Sequence, residues 1–455
     1  MKYHKTLFIF RRDLRLEDNT GLIHALRVSR VVMPCFILDP RQISDQPYYG
    51  QPAVTFMITS LNDLEGQLQS KETKLFIFEG RAHDVVESLI KKEGIDAVVV
   101  NWDYTPFSKQ RDEAILKVCQ MHGAAFMQCH DALLDAPGTV KKDDGTPYSV
   151  YTPYARKAMT HKIPVPVKND HKNYYTGSSM LDSRNIFDQL QNKVAQSPVN
   201  PGGREEALKI LRAIKDRRNY DQERDIPSLQ GTTRLSSHHK FGTVSVRETY
   251  HAVVKALGIS HTLIRELYWR DFFTQIGYHF PHVLGKSFYP KYDKIVWEHN
   301  EKFFQAWCEG NTGFPIVDAG MRELNVTGFM HNRVRMITAS FLIKDLHIDW
   351  RQGERYFAQH LVDYDPLVNN GNWQWAASTG CDAAPYFRIF NPWLQQKKFD
   401  PDARYIKQWV PALRQESVVN IHDIAKKGLI IDGYPPPIVW HEHEKSRALD
   451  AYGKV

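Results

Sequence analysis

The hydrophobic pattern of the first 130 residues alternates between two periods. Continuous apolar runs of strand length occur at 7–10, 31–38, 75–78, 97–100 and 124–127. Between them, 19–28, 53–68, 83–92 and 108–122 carry helical spacing, the last with Ser108 as its expected N-cap. Apolar runs without polar alternation predict strands buried on both faces, and intervening helices predict a doubly wound parallel sheet. Residues 131–200 show little periodicity. Asp143-Asp144-Gly145-Thr146-Pro147 predicts a turn and 178–201 is polar, so a long interdomain linker is expected. From residue 201 the period is helical, with helices expected at 205–217, 246–257, 261–278, 300–309, 315–327, 330–346 and 350–361. The expected fold is α/β plus all-α: an α/β domain over 1–130, a linker over 131–200 and a helical domain over 201–455.

Composition changes this picture little. The 455 residues are 42% hydrophobic and 24% charged, which suits globular domains with sizeable cores. No apolar run approaches the ~18 residues of a membrane span. Cysteines 35, 119, 129, 308 and 381 are odd in number and scattered, which argues for a reducing compartment and against structural zinc. A cytoplasmic monomer without a membrane or an obligate protein partner is expected, nucleoid-associated in a bacterium. The net charge of +7 leans toward a polyanionic partner, and the 54 aromatic residues (10 Trp, 21 Tyr, 23 Phe) suit stacking on bases or a large core.

Five stretches break the amphipathic pattern. In 363–379, Asp363, Asp365, Asn369, Asn370, Trp373 and Trp375 fall close together. Carboxylates are costly to bury unpaired, amides both donate and accept, and the i, i+2 indoles take different helix faces. A polar cradle beside two indoles suits a planar aromatic ligand, and equally a capped core helix. Gly231-Thr232-Thr233-Arg234-Leu235-Ser236-Ser237 is rich in donors. It would cradle phosphate if it opens a helix, or form a plain Ser/Thr loop. Glu266, Trp269 and Arg270 share a helix face, as do Asn332, Arg335 and Met336, with Arg333 pointing elsewhere. The first strand ends not in a glycine fingerprint but in Phe10-Arg11-Arg12-Asp13-Leu14-Arg15, followed by Asp18-Asn19. That loop suits either a ligand crevice or a solvated salt-bridged turn.

These stretches together resemble the photolyase and cryptochrome family, most closely the photolyases that repair cyclobutane pyrimidine dimers. The resemblance runs over nearly the whole chain. It includes Phe10-Arg-Arg-Asp-Leu-Arg, Thr232-Thr-Arg-Leu-Ser, Lys240-Phe-Gly-Thr, Glu266-Leu-Tyr-Trp-Arg and Gly313-Phe-Pro-Ile-Val-Asp-Ala. It continues with Gly328-Phe-Met-His-Asn-Arg-Val-Arg-Met, Asn369-Asn-Gly-Asn-Trp-Gln-Trp and Tyr386-Phe-Arg-Ile-Phe-Asn-Pro.

The resemblance implies light-dependent repair of these dimers in UV-damaged DNA by FAD, active in its reduced form, held in the helical domain. It implies that Tyr220, Thr232, Thr233, Arg234, Leu235 and Ser236 bind the phosphates and their surroundings. Arg335, Asp363 and Asp365 would contact the flavin and its ribitol, and Asn369 would face flavin N5. Glu266, Trp269, Asn332, Met336 and Trp375 would line the pocket of a flipped-out dimer. Trp373, Trp350 and Trp297 would relay electrons from the surface, and Arg224, Arg270, Arg333 and Arg388 would meet DNA phosphates. The alternative is a cryptochrome, a blue-light receptor without repair. Asn369 speaks against it, since cryptochromes tend to carry cysteine or aspartate there, and so does a chain that ends soon after the fold closes. Phe107-Ser108-Lys109-Gln110-Arg111-Asp112 departs from the pattern of folate-binding members. A folate, a deazaflavin, a second flavin or no antenna remain open.

Overall fold

The computed structural model describes residues 1–43, 46–194 and 199–455, so part of the polar stretch 178–201 lies outside the described residues. The five expected strands form β1 (Tyr3–Phe10), β2 (Ser29–Leu38), β3 (Phe76–Glu79), β4 (Ala97–Asn101) and β5 (Ala125–Cys129). All pairings are parallel, in the order β3-β2-β1-β4-β5. Leu7 pairs with both Met33 and Val98, so β1 lies at the centre and the order reverses between β1 and β4. Leu7, Ile9, Met33, Ile37, Val98 and Val100 pack with Val86, Leu89 and Ile115 of the crossing helices. Burial on both faces is why these strands lack polar alternation.

The chain divides into two compact units. A sheet unit comprises Met1–Tyr148, Thr152–Asp216 and Arg234–Pro281; a helical unit comprises Ser149–Tyr151, Arg217–Thr233 and His282–Val455. Among the described residues, every regular element after Cys129 is a helix, apart from isolated bridges. The stretch 131–200 is not featureless: it forms the short helices Tyr151–Ala158 and Arg184–Asn192. The second has a single buried anchor, Phe187, and Arg184 clamps Glu65 with two bonds of 2.7 and 2.5 Å. Ile186, Phe187 and Leu190 are its only apolar residues, too short a set to stand out in a polar stretch.

Helix starts follow their caps. The fourth expected start is corrected: Pro106–Met121 begins with Thr105 as N-cap and Pro106 at its first position, and Ser108 lies inside. Proline presets the first helical φ, so it sets the start ahead of Ser108. The Ser108 N–H donates to Thr105 Oγ1 at 3.1 Å, while its hydroxyl donates to Asp103 at 2.7 Å.

The arginine-rich loop after β1 is salt-bridged, but it is buried rather than solvated. Asn101 Nδ2 donates to Asp13 at 2.5 Å and to Asn19 at 2.7 Å, and Gly21 N donates to Asn101 Oδ1 at 2.9 Å. A Cβ on Gly21 would lie 2.6 Å from that oxygen, which is why glycine stands at the second position of the helix Thr20–Val28. Arg15, 1% exposed, donates to both oxygens of Asp131 at 2.8 and 2.7 Å. Arg247 joins from the helix Val246–Leu257, donating to Asp131 at 2.8 Å and to Asp18 at 2.9 Å.

A second buried carboxylate ties the segment after β5 to the helix Thr262–His279. Asp271 Oδ2 accepts the N–H groups of Leu134 and Asp135 at 2.8 and 3.2 Å. Its Oδ1 has no hydrogen-bond partner among the described residues. Burial, helped by Asp135 and opposed by Arg270, pushes this carboxyl up to about 7. The folded state therefore holds an extra proton, and its stability falls as pH rises from the ordinary carboxylate range through about 7. Asp271→Asn keeps an acceptor for both N–H groups and carries no charge. We expect it to be more stable than the parent by about 1–3 kcal/mol at pH 8, with the difference vanishing near pH 3, below the unfolded value of 3.8. Urea midpoints at the two pH values check this.

The core of the helical unit contains Trp307, Phe314, Ile316, Phe341, Leu342, Trp350, Phe357 and Trp373. It is built from Glu301–Glu309, Pro315–Thr327, Asn332–Lys344, Trp350–His360 and Pro366–Ala377, followed by shorter helices and His441–Gly453.

Candidate functional site

Within the helical unit the stretch 363–379 resolves into a capped helix. Asp365 is the N-cap of Pro366–Ala377, and its Oδ1 accepts from Leu367 N at 3.1 Å and Val368 N at 3.4 Å. A cap followed by proline fixes where the helix starts, and hence which faces carry Asn369, Trp373 and Trp375. Asn369 Nδ2 donates to the backbone oxygen and to Oε1 of the buried Glu354, both at 3.2 Å. Its Oδ1 is the group left to accept a proton donor. Asn370 is spent on structure: it donates to Val283 O at 3.0 Å and accepts from Gln374 at 3.1 Å. Trp373 is buried and Trp375 half-buried against the same core, the split that i, i+2 spacing demands.

The helix Asn332–Lys344 places Arg335 against Asp363. The fork is bidentate, at 3.1 and 3.0 Å, while Arg335 Nε donates to Met330 O at 2.7 Å. The same helix carries Asn332, exposed at its first position, and Met336, half-buried one residue beyond Arg335. Arg333 is already partnered: it donates to Asp225 at 2.8 Å and lies over the Phe399 ring at 4.4 Å. Tyr220 is buried, with the Arg224 guanidinium 5.8 Å from its ring centre. Thr232 and Thr233 are half-buried at the end of the segment 217–233, and Arg388 is exposed.

The expected relay tryptophans belong to one hydrophobic cluster: Trp350 and Trp373 are core members and Trp297 packs against it. Trp373 fits over Gly353 of the helix Trp350–His360; a Cβ there would lie 2.2 Å from its Cη2. Trp297 meets Tyr452 edge-on at 6.4 Å.

In the sheet unit, Arg234 stands at φ 55 and Leu235 is the buried N-cap position of the short helix Ser236–Phe241, so this segment does open a helix. Glu266 and Trp269 are half-buried on Thr262–His279, Trp269 stacking on Phe273 at 5.5 Å. Arg270 is committed to backbone, donating to Ala132 O at 2.6 Å and His239 O at 3.2 Å.

Sequence reasoning missed Glu354, which orients Asn369, and Trp307, which touches Trp373. Neither carries a local signal, since their importance comes from neighbours 15 and 66 positions away.

Comparison with known proteins agrees with this picture. Residues 6–169 match the DNA photolyase family model, and 263–454 match the FAD binding domain of DNA photolyase. A deoxyribodipyrimidine photo-lyase of Alkalihalophilus pseudofirmus is 37% identical over 97% of this chain and 96% of its own. An archaeal photolyase of Sulfolobus tokodaii, solved with two FAD molecules, is 45% identical with a TM-score of 0.90, covering 99% of this chain and 100% of that one. A cryptochrome of Synechocystis is 26% identical with a TM-score of 0.87, covering 99% and 100%. Matches of this identity across both units establish the lineage: the chain belongs to the DNA photolyase family and carries its FAD-binding domain.

Proposed function

We propose that this protein is a deoxyribodipyrimidine photolyase that splits cyclobutane pyrimidine dimers in DNA under light. The observation that carries the reading is the amide of Asn369, whose Nδ2 is tied to Glu354, which leaves Oδ1 as the acceptor. A reduced flavin presents an N–H at N5, and a fixed amide oxygen fits it. Arg335 and Asp363 would serve the flavin and its ribitol as a locked pair, Asp365 would add a carboxylate, and Tyr220 with Thr232 through Ser236 would hold the phosphates. The bound cofactor would supply the chemistry: light-driven loan of one electron to the dimer, returned once the ring has split.

The chain's own groups would position and stabilise. Glu266 and Asn332 would hydrogen-bond the pyrimidine edges, and Glu266 would favour the charge that develops there. Trp269, Trp375 and Met336 would supply flat and polarizable walls. Of the arginines, the exposed Arg388 is best suited to a phosphate. Arg333 would have to exchange Asp225 for one, and Arg270 would have to leave two carbonyls. For an antenna, the archaeal relative's two FAD molecules support the second-flavin class.

Light-dependent repair of a dimer-containing oligonucleotide, with the absorption spectrum and flavin-to-protein ratio of the same preparation, tests this. Glu266→Ala is expected to lower repair about tenfold, the value of one hydrogen bond to a charged group, while bound flavin stays unchanged. Loss of flavin would make Glu266 structural. A flavin spectrum with no repair in the parent would overturn the proposal.

A further inference from the structure

The sheet has two outer edges, and the chain protects only one of them. At β3 the outward residue is Ile77. Its N–H donates to Asp182 Oδ1 at 3.2 Å, and its carbonyl accepts from Ser183 N at 2.7 Å. The helix Arg184–Asn192 packs against the same strand. The β5 edge has no such cover among the described residues. Ala125 N donates to Asp96 O at 3.0 Å and Cys129 O accepts from Trp102 N at 2.8 Å, so Ala125, Met127 and Cys129 turn their backbone toward β4. Alternation in a parallel pair then turns Phe126 and Gln128 outward. Neither backbone has a hydrogen-bond partner among the described residues.

Open edges in native proteins are blunted by charge, proline, a bulge or a covering segment. The strand Ala-Phe-Met-Gln-Cys carries no charge and no proline, and its register with β4 runs unbroken from Ala125 to Cys129. Gln128 is exposed, while Ala125, Phe126 and Met127 are half-buried. Apolar surface continues on the helix Pro106–Met121, which packs against β5 and exposes Leu116 and Met121. Its Glu113 and Lys117 neutralise each other at 2.9 Å. A chain of net charge +7 repels its own copies in general, but this strand presents no charge to repel.

We propose that the β5 edge is the interface of a two-fold symmetric homodimer, joining two five-stranded sheets into one, in place of the expected monomer. A second copy is the occupant because the edge is complementary to itself. Antiparallel pairing about an axis through Met127 sets Phe126 of each copy opposite Gln128 of the other. Each such pair exchanges both of its N–H···O bonds, which satisfies the outward groups of Phe126 and Gln128. The two Met127 residues face each other as a non-hydrogen-bonded pair, with Cα atoms about 4.5 Å apart. An unrelated strand would need a matching length and pattern; a second copy has them by symmetry.

Sedimentation equilibrium of the full chain over a range of concentrations tests this. The parent's mass is expected to rise toward twice that of one chain. Met127→Lys sets two ammonium groups across the axis and is expected to weaken association about tenfold or more. Circular dichroism shows whether that variant folds; where it does not, cross-linking decides. In a Cys129→Ser background, Met127→Cys oxidised with diamide is expected to form a covalent dimer, because its Cα separation suits a disulfide. Cys35, Cys119, Cys308 and Cys381 are buried and take no part. Gln128→Cys is expected to form none, since diagonal residues stand about 7–8 Å apart and a disulfide spans at most about 7 Å. The proposal is overturned if the parent stays monomeric at every concentration or if Met127→Lys folds and associates as the parent does. It is equally overturned if Met127→Cys forms no covalent dimer or if Gln128→Cys cross-links as fast.

Discussion

Replacing Asp131 with alanine is expected to lower the unfolding free energy of the sheet unit by about 3–5 kcal/mol at pH 7, the usual cost of stranding buried charge. The side chain is 2% exposed and serves two guanidiniums at once, Arg15 and Arg247, besides Thr20. Arginine cannot relieve the loss by giving up its proton. Arg15 would be left with the carbonyl oxygens of Gly242 and Asp18, at 3.0 and 2.6 Å. Its Nε already has no hydrogen-bond partner among the described residues. Among the described residues, Arg247 would retain Asp18 alone as its carboxylate. The pH dependence separates this from a simple cavity. Burial pushes the Asp131 carboxyl up, but Arg15 and Arg247 outweigh it and hold the group well below the ordinary carboxylate range. A depressed acid gives its full stabilisation above its unfolded value of 3.8 and loses it as pH falls below that. The gap between parent and variant should therefore be widest near neutrality and narrow under acid. Urea unfolding followed by circular dichroism at pH 7 and pH 3 measures it, and a constant gap would mean that lost packing is the whole effect.

That network also marks where sequence stopped being informative. The strands were legible because burial on both faces forbids polar alternation, and Leu7 to Phe10 or Val98 to Val100 show it without a partner in view. The one cap expected from the sequence, Ser108, misled because Pro106, two residues earlier, sets the start. Arg15 and Arg247 are 232 residues apart, and nothing near either says that both meet Asp131. A charged loop and a buried charged knot have the same composition. The same limit applied at the site. The ordered motifs picked out Asp363, Asp365 and Asn369, yet a lone arginine in a sequence looks the same whether exposed, as Arg388 is, or paired, as Arg333 is with Asp225. Glu354 and Trp307 were invisible because a helix face has no meaning until its neighbour is known.

Arg335→Ala is expected to be the most damaging change in the helical unit, and more damaging than Asp363→Asn although the two residues form one pair. Burial decides the asymmetry. The Asp363 side chain is 5% exposed and the Arg335 side chain 24%. Removing the arginine strands a carboxylate that water barely reaches, at a cost of about 2–4 kcal/mol, below the fully buried case because the partner was partly solvated. It also deletes the bond to Met330 O, which orients the turn before the helix. Neutralising Asp363 instead leaves a guanidinium with some access to water and an amide that still accepts, at a cost of about 1–2 kcal/mol. The double variant should therefore be more stable than Arg335→Ala alone, because it no longer buries an unpaired charge. A double-mutant cycle of thermal unfolding measures this coupling. Flavin retention gives the second readout. If the pair also serves the cofactor, Arg335→Ala should weaken FAD about 10- to 100-fold, the worth of one or two charge-assisted hydrogen bonds. The double variant should regain stability without regaining FAD. Recovery of both together would make the pair a structural clamp only, and recovery of neither would mean that Arg335 acts through Met330 rather than through Asp363.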